Sequence, residues 1–395
     1  MLRMPELYRA LCALCLVAPS FTAAGATAAT GPVPPEKLTV EKLAPRSPHW
    51  IYFVDESLYN DVDARIVLYD GDQHRELGQI DAGYFPSVNV TPDGKTTIVA
   101  TTYFARGSKG TRTDVVEFTD NATLETKSEI IVPSKHAQTF PTPYGASVSD
   151  DGRFLYVANI TPATSTTVID LKSNSVVGEL DTAGCVLAYA AGPNRVSSLC
   201  ESGKLLTITL DSNGKEASRA QSEAFFETDK DPVYAQGLDS SEGVVFLSFL
   251  GQVHEVNLAQ APATIKPPWS LVTDQERGKW RLGGNQMGAL HKGLKRLYVP
   301  MHEGGEGTHK DGGTEIWVFD MASHKRLARW PITSRYKLDP ITAVQVSQDA
   351  QPILFAAGSK ADVKNAQFAI LDGLTGAIRY VERDLRVVPW LMLNP

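Results

Sequence analysis

Apolar residues in this chain come in short runs that return about every forty to sixty positions, each opened by a polar turn. Residues 91–101 (TPDGKTTIVAT), 149–159 (SDDGRFLYVAN) and 347–358 (SQDAQPILFAAG) share one phrase, Asp-Gly or a close substitute followed by β-branched and aromatic residues. The Asp-Gly pair suits a tight hairpin turn that needs a positive φ, and the run after it suits a strand. A second phrase alternates with the first and ends on an acidic or equivalent residue at Asp70, Asp120, Asp170, Asp211, Asn257, Asp320 and Asp372. Successive members of that series lie 50, 50, 41, 46, 63 and 52 residues apart, the period of a four-stranded blade rather than of a helical solenoid. The expected fold is all-β, a seven-bladed β-propeller of four-stranded antiparallel blades over residues 49–395. A closed ring has no internal boundary, so the repeat outranks the two or three domains that the length of 395 residues suggests. Closure must pair the two ends of the chain, and the candidates are 50–55 (WIYFVD) and 386–393 (RVVPWLML).

The first thirty residues differ in kind. Arg3 precedes an apolar run from Leu11 to Ala24, and small residues from Ala23 to Ala29 offer several cleavage points, so residues 1–29 are expected to be an export signal. The run is shorter than the ~20 residues needed to span a bilayer, which argues against a membrane anchor. Residues 30–48, with Pro at 32, 34, 35, 45 and 48, lead into the first blade as an extended segment. A net charge of −7 argues against a nucleic-acid partner. Cys12 and Cys15 fall within the signal, which leaves Cys185 and Cys200 on either side of one predicted hairpin. In an oxidising compartment they are expected to form a disulfide, the alternative being two separate buried thiols.

No nucleophile elbow, zinc-protease helix, phosphate loop or haem-attachment motif occurs in the mature chain. Residues 302–309 (HEGGEGTH) could gather His302, Glu303, Glu306 and His309, but so many glycines make the loop costly to organise. A solvated or partner-contacting loop is the expectation there. Two aromatic clusters are less bland: Tyr84 with Phe85, and Tyr103 with Phe104, flank one hairpin. They cannot all face one side of a sheet, so some are expected to reach a loop and form an apolar wall.

Several short motifs in register carry a family resemblance. Residues 80–86 (IDAGYFP), 102–107 (TYFARG), 110–114 (GTRTD), 280–284 (WRLGG), the stretch from His291 to Tyr298 and the pair Cys185 and Cys200 are together similar to the heavy subunit of the tryptophan tryptophylquinone amine dehydrogenases, from about residue 48 to the C-terminus. The resemblance implies a periplasmic subunit in a heterotetramer of two heavy and two light chains. Tryptophan tryptophylquinone and the catalytic base would belong to the light subunit, with no catalytic residue here. The implied reaction is oxidative deamination of a primary amine to an aldehyde and ammonia, with electrons passed to a blue copper protein of the azurin or amicyanin type. This chain would wall the substrate channel with Ala82, Gly83, Tyr84, Phe85 and Phe104.

The family's methylamine-type phrase is Gly-Gly-Phe-Leu-Pro, whereas residues 82–86 read Ala-Gly-Tyr-Phe-Pro, with Ser87 where Asn follows in the family. That departure resembles the aromatic amine branch, with Tyr84 at the gating position and Phe104 at the second aromatic. Arg112, Thr113 and Asp114 are expected to be structural. Two other classes fit an exported propeller: a binding or scaffold protein without activity, and a solitary lactonase with carboxylates around a cation.

Overall fold

The computed structural model describes residues 39, 41–56, 62–139, 141–359 and 366–394. The expected export signal, residues 1–29, lies outside them, as does most of the lead at 30–48. Residues 41–395 form one compact unit.

Seven antiparallel sheets follow one another along that unit. The second blade shows the plan: strands Tyr84–Val90, Thr96–Arg106, Lys109–Asp120 and Glu125–Val132 pair in chain order. In the fifth and sixth blades a short extra strand joins the four, Trp269–Ser270 and Ala289–His291. First strands of neighbouring blades touch one another, which makes them the inner ring around the axis. Fourth strands such as Glu125–Val132 and Glu216–Gln221 are mostly exposed and form the rim. A five-residue helix, Ile332–Tyr336, is the helical element among the described residues.

The first blade takes its inner strand from the far end of the chain. Leu391–Leu393 pairs with Trp50–Asp55 through Tyr52↔Leu393, Phe53↔Met392 and Val54↔Leu391. The two segments singled out for closure are therefore the ones that close the ring, and neither is left as an open edge.

All seven strands that end in an acidic or equivalent residue are the third strand of their blade. The acid has a local job. Asp70 Oδ1 accepts from the N–H groups of Asp72 and Gln73, and Asp120, Asp170 and Asp372 each accept from two turn N–H groups in the same way. Four residues after the acid the backbone turns left-handed, at His74, Leu124, Asn174, His324 and Gly376. The acid thus satisfies turn N–H groups that the ladder has left unpaired.

Blades meet face to face, so the middle strands are buried on both sides and read as nearly continuous apolar runs. Phe53, Val67 and Tyr69 pack towards the seventh blade, while Tyr52, Val54, Ile66 and Leu68 pack towards the second. Each of the seven blade junctions has one such cluster. A blade meander sends its second-to-third and fourth-to-first connections to the same end, and that face of the ring carries every candidate described next.

Candidate functional site

The aromatic group begins with a backbone constraint. A Cβ at Gly83 would lie 2.3 Å from the Thr102 carbonyl oxygen and 2.9 Å from the Tyr103 ring, so only glycine lets the chain enter the second blade this close to its neighbour. Phe85 then takes φ 46°, and the pairing slips by a bulge between Tyr84 and Ser87. A bulge re-aims side chains at a strand end. The Tyr84 ring stands edge-on to Phe85 at 4.8 Å and to Phe104 at 5.8 Å between centroids. Tyr103 projects the other way, its hydroxyl donating to Glu117 at 3.1 Å. Burial raises the pKa of both Tyr103 and Glu117.

Beneath this group lies a buried polar node. Arg112, paired in register with Phe104, grips Asp114 through two bonds of 2.8 Å and donates to the His136 carbonyl at 2.9 Å. Asp114 also accepts from Thr102 Oγ1 and from the His136 N–H. The His136 ring is fully buried, with Nε2 3.3 Å from Ser87 Oγ, and burial pushes its pKa down to about 4. The Arg-Asp pair thus ties two strands and one connection together, and His136 reaches a third strand at Ser87, a structural role.

A cavity of about 1050 Å³ opens on the same face. Ala158, Leu187, Tyr234, Met287, Thr342 and Trp390 come from six different blades or the connections leading into them, which puts the cavity on the propeller axis. Tyr84, Phe85 and Phe104 do not line it. The stretch expected to be a solvated or partner-contacting loop does: His302, Glu303 and His309 are part of its wall. This loop is tied down at several points. His302 Nε2 lies 3.1 Å from Thr308 Oγ1, the His309 ring stacks on Phe249 at 4.5 Å, and the Tyr234 hydroxyl donates to the His309 carbonyl at 3.2 Å. Gly283 of the WRLGG motif makes room for it, since a Cβ there would lie 2.3 Å from the Asp311 carbonyl oxygen, while Gly284 admits Thr342 of the seventh blade, whose carbonyl oxygen would lie 2.5 Å from a Cβ. His302 is 4% exposed, and burial lowers its pKa while Asp311 pulls the other way. Among the described residues no three His, Cys, Asp or Glu side chains come together as a metal site. Glycine spacing was the visible signal of this loop, but its docking onto Phe249 and Tyr234 joins residues more than fifty positions apart.

Cys185 and Cys200 are directly opposed on the first two strands of the fourth blade and form a disulfide. Trp280 and Trp317 have rings 5.0 Å apart, but Trp317 is fully buried and the guanidinium groups of Arg326 and Arg329 cover the pair at 4.2–4.7 Å. No helix among the described residues is long and apolar enough to cross a membrane.

A family model described as methylamine dehydrogenase heavy chain matches residues 48–383. The heavy chain of Methylophilus methylotrophus methylamine dehydrogenase is 27% identical over 317 residues, covering 79% of this chain and 76% of its own length. That of Methylobacillus flagellatus is 25% identical and covers 87% of this chain and 85% of its own. Among solved structures, a periplasmic gluconolactonase of Pseudomonas aeruginosa superposes with a TM-score of 0.58 at 14% identity, covering 86% of this chain and 96% of that one. At that identity the likeness is one of fold.

Proposed function

The chain belongs to the methylamine dehydrogenase heavy-chain family, and from that premise we propose that it is the heavy subunit of a periplasmic quinoprotein amine dehydrogenase acting on aromatic primary amines. Its partner is a light subunit that carries tryptophan tryptophylquinone, in a heterotetramer of two heavy and two light chains, with a blue copper protein as electron acceptor. Within this chain the Trp280–Trp317 pair does not fit a resident quinone, because the two rings are sealed by Arg326 and Arg329. When bound in the complex, the light subunit's quinone supplies the two-electron oxidation.

This chain contributes a wall. Ala82 and Gly83 bring the backbone in, Tyr84, Phe85 and Phe104 offer aromatic edges and faces, and an apolar surface of this kind excludes water and selects for a ring. The observation that carries the aromatic preference is the contact of the Tyr84 ring with both Phe85 and Phe104 on one face of the propeller. Periplasmic export follows from the expected signal at residues 1–29, and the propeller is assigned to 49–395.

Purification from the native periplasm tests the proposal. A small co-purifying subunit whose visible chromophore bleaches with tyramine, and bleaches less readily with methylamine, is the expected result. A colourless chain without a partner would turn the reading to a binding propeller, and equal bleaching by both amines would remove the aromatic preference.

A further inference from the structure

The second blade extends into a ribbon whose tip buries nothing within the described chain. Its two middle strands, Thr96–Arg106 and Lys109–Asp120, run 11 and 12 residues, against five to eight in the middle strands of the other six blades. Pairing with the inner strand ends at Tyr84↔Thr102 and with the rim strand at Asp114↔Val132. Beyond those pairs the middle strands have only each other, through Tyr103↔Thr113, Phe104↔Arg112 and Arg106↔Lys109. Residues 105–111 are exposed throughout, and Ala105 is the one apolar side chain among them. A two-stranded ribbon without a core is marginal by itself. This one is held at its base, where Arg112 grips Asp114 and the Arg112 carbonyl accepts from Ser134 Oγ at 3.3 Å.

The tip is cationic. Arg106 and Lys109 are partners in register across the turn at Gly107 and Ser108, and among the described residues neither takes part in an ion pair. In a chain of net charge −7, two uncommitted cations on an anchored arm are suited to carboxylates brought by another molecule. Position identifies that molecule. The arm rises from the aromatic group itself, because Phe104, in contact with Tyr84, lies two residues and therefore roughly 7 Å from Arg106 along the same strand. A chain that brings a quinone up to those rings must run alongside the tip. We propose that the 103–112 ribbon is a docking arm, whose Arg106 and Lys109 bind an acidic surface of the light subunit next to the aromatic wall. The assignment rests on the functional reading above for the identity of the partner, and on the ribbon's own geometry and charge for the contact.

Limited trypsin digestion of the purified holoenzyme and of the full heavy chain alone tests this. Cleavage after Arg106 and Lys109 is expected in the free chain and should be at least about tenfold slower in the holoenzyme, since an exposed turn is a preferred cutting site until a partner covers it. Zero-length carbodiimide coupling of the holoenzyme should join Lys109 to an Asp or Glu of the light subunit. The double variant Arg106→Glu with Lys109→Glu should raise the dissociation constant for the light subunit about tenfold at low salt and less at high salt. Both side chains are exposed, so its melting temperature as a free chain should match the wild type. If no light subunit accompanies the chain, the functional reading falls and this assignment with it. A holoenzyme whose ribbon is cut as fast as that of the free chain, or a double variant that assembles with unchanged affinity, would overturn the docking arm alone. Protection that arises only when the copper protein is added would overturn it too.

Discussion

At position 83 the Thr102 carbonyl oxygen and the Tyr103 ring leave no space for a Cβ, and this close approach sets the backbone just before Tyr84 and Phe85. Tyr84 and Phe85 emerge next to each other because the backbone bulges there, and Tyr84 meets Phe104 across the sheet. Removing the ring should therefore change selectivity rather than chemistry. Tyr84→Ala is expected to shift the ratio of kcat/KM between 2-phenylethylamine and methylamine by about tenfold, in line with a lost aromatic contact of ~1 kcal/mol plus burial, without changing the quinone spectrum. Equal losses for all amines would count against Tyr84 as the selective group. His136 gives a prediction about pH. Its folded-state pKa of about 4 lies below the ordinary value near 6.5, so between those pH values the unfolded chain binds the extra proton. Stability from this group is fully present above about pH 6.5 and is lost as pH falls towards 4, by roughly 3 kcal/mol in total. Urea denaturation at pH 7.5, 5.5 and 4.5 should show that decline, and His136→Gln should flatten it; an unchanged slope would remove His136 as its source.

Among the elements, the hairpin of the fourth blade differs from the other six in being covalently closed. Cys185 and Cys200 are partners in register, so the bridge ties strands that the ladder already pairs. Its main effect is then on the unfolded chain, whose loop of this length loses entropy equivalent to about 3 kcal/mol. Non-reducing peptide mapping should recover the two cysteines joined. The double variant Cys185→Ala with Cys200→Ala should unfold at lower denaturant by about that energy, and wild-type stability would mean that the bridge contributes nothing beyond the ladder. The 96–120 hairpin is the other unusual element. Its two long strands carry Phe104 beyond the blade, and the Arg112–Asp114 pair holds its base.

For the molecule as a whole, the ring is the unit of stability. Every blade buries both faces against its neighbours, so no blade completes its core alone. Leu391 and Met392, 2% and 0% exposed, contribute roughly 3–6 kcal/mol by burial, and they also cover the pairing edge of Trp50–Asp55. A chain ending at residue 388 is expected to aggregate and to be cut rapidly by protease. A truncated chain that stays monomeric and as resistant as the full one would show that closure is dispensable. The axial cavity also belongs to this scale, because six blades each supply part of a wall that none of them has by itself.

Much of this architecture was legible in local residue order. Blade number, strand order, the closing pair and the disulfide partners all follow from turns and apolar runs a few residues long, since hairpin turns and strand alternation are set by neighbours in the chain. The aromatic phrase at 82–86 and Phe104 could be picked out as candidates for the same reason, and the family likeness was carried by short motifs kept in register. The axial cavity and the docking of residues 302–309 could not be read that way. His302 and His309 read as parts of a glycine-rich loop, solvated or partner-contacting, and within the chain they are held by Thr308, Phe249 and Tyr234. The wall around them joins Ala158 to Trp390, and such contacts exist only once seven blades have closed, because ring closure and not sequence proximity brings those side chains to one axis.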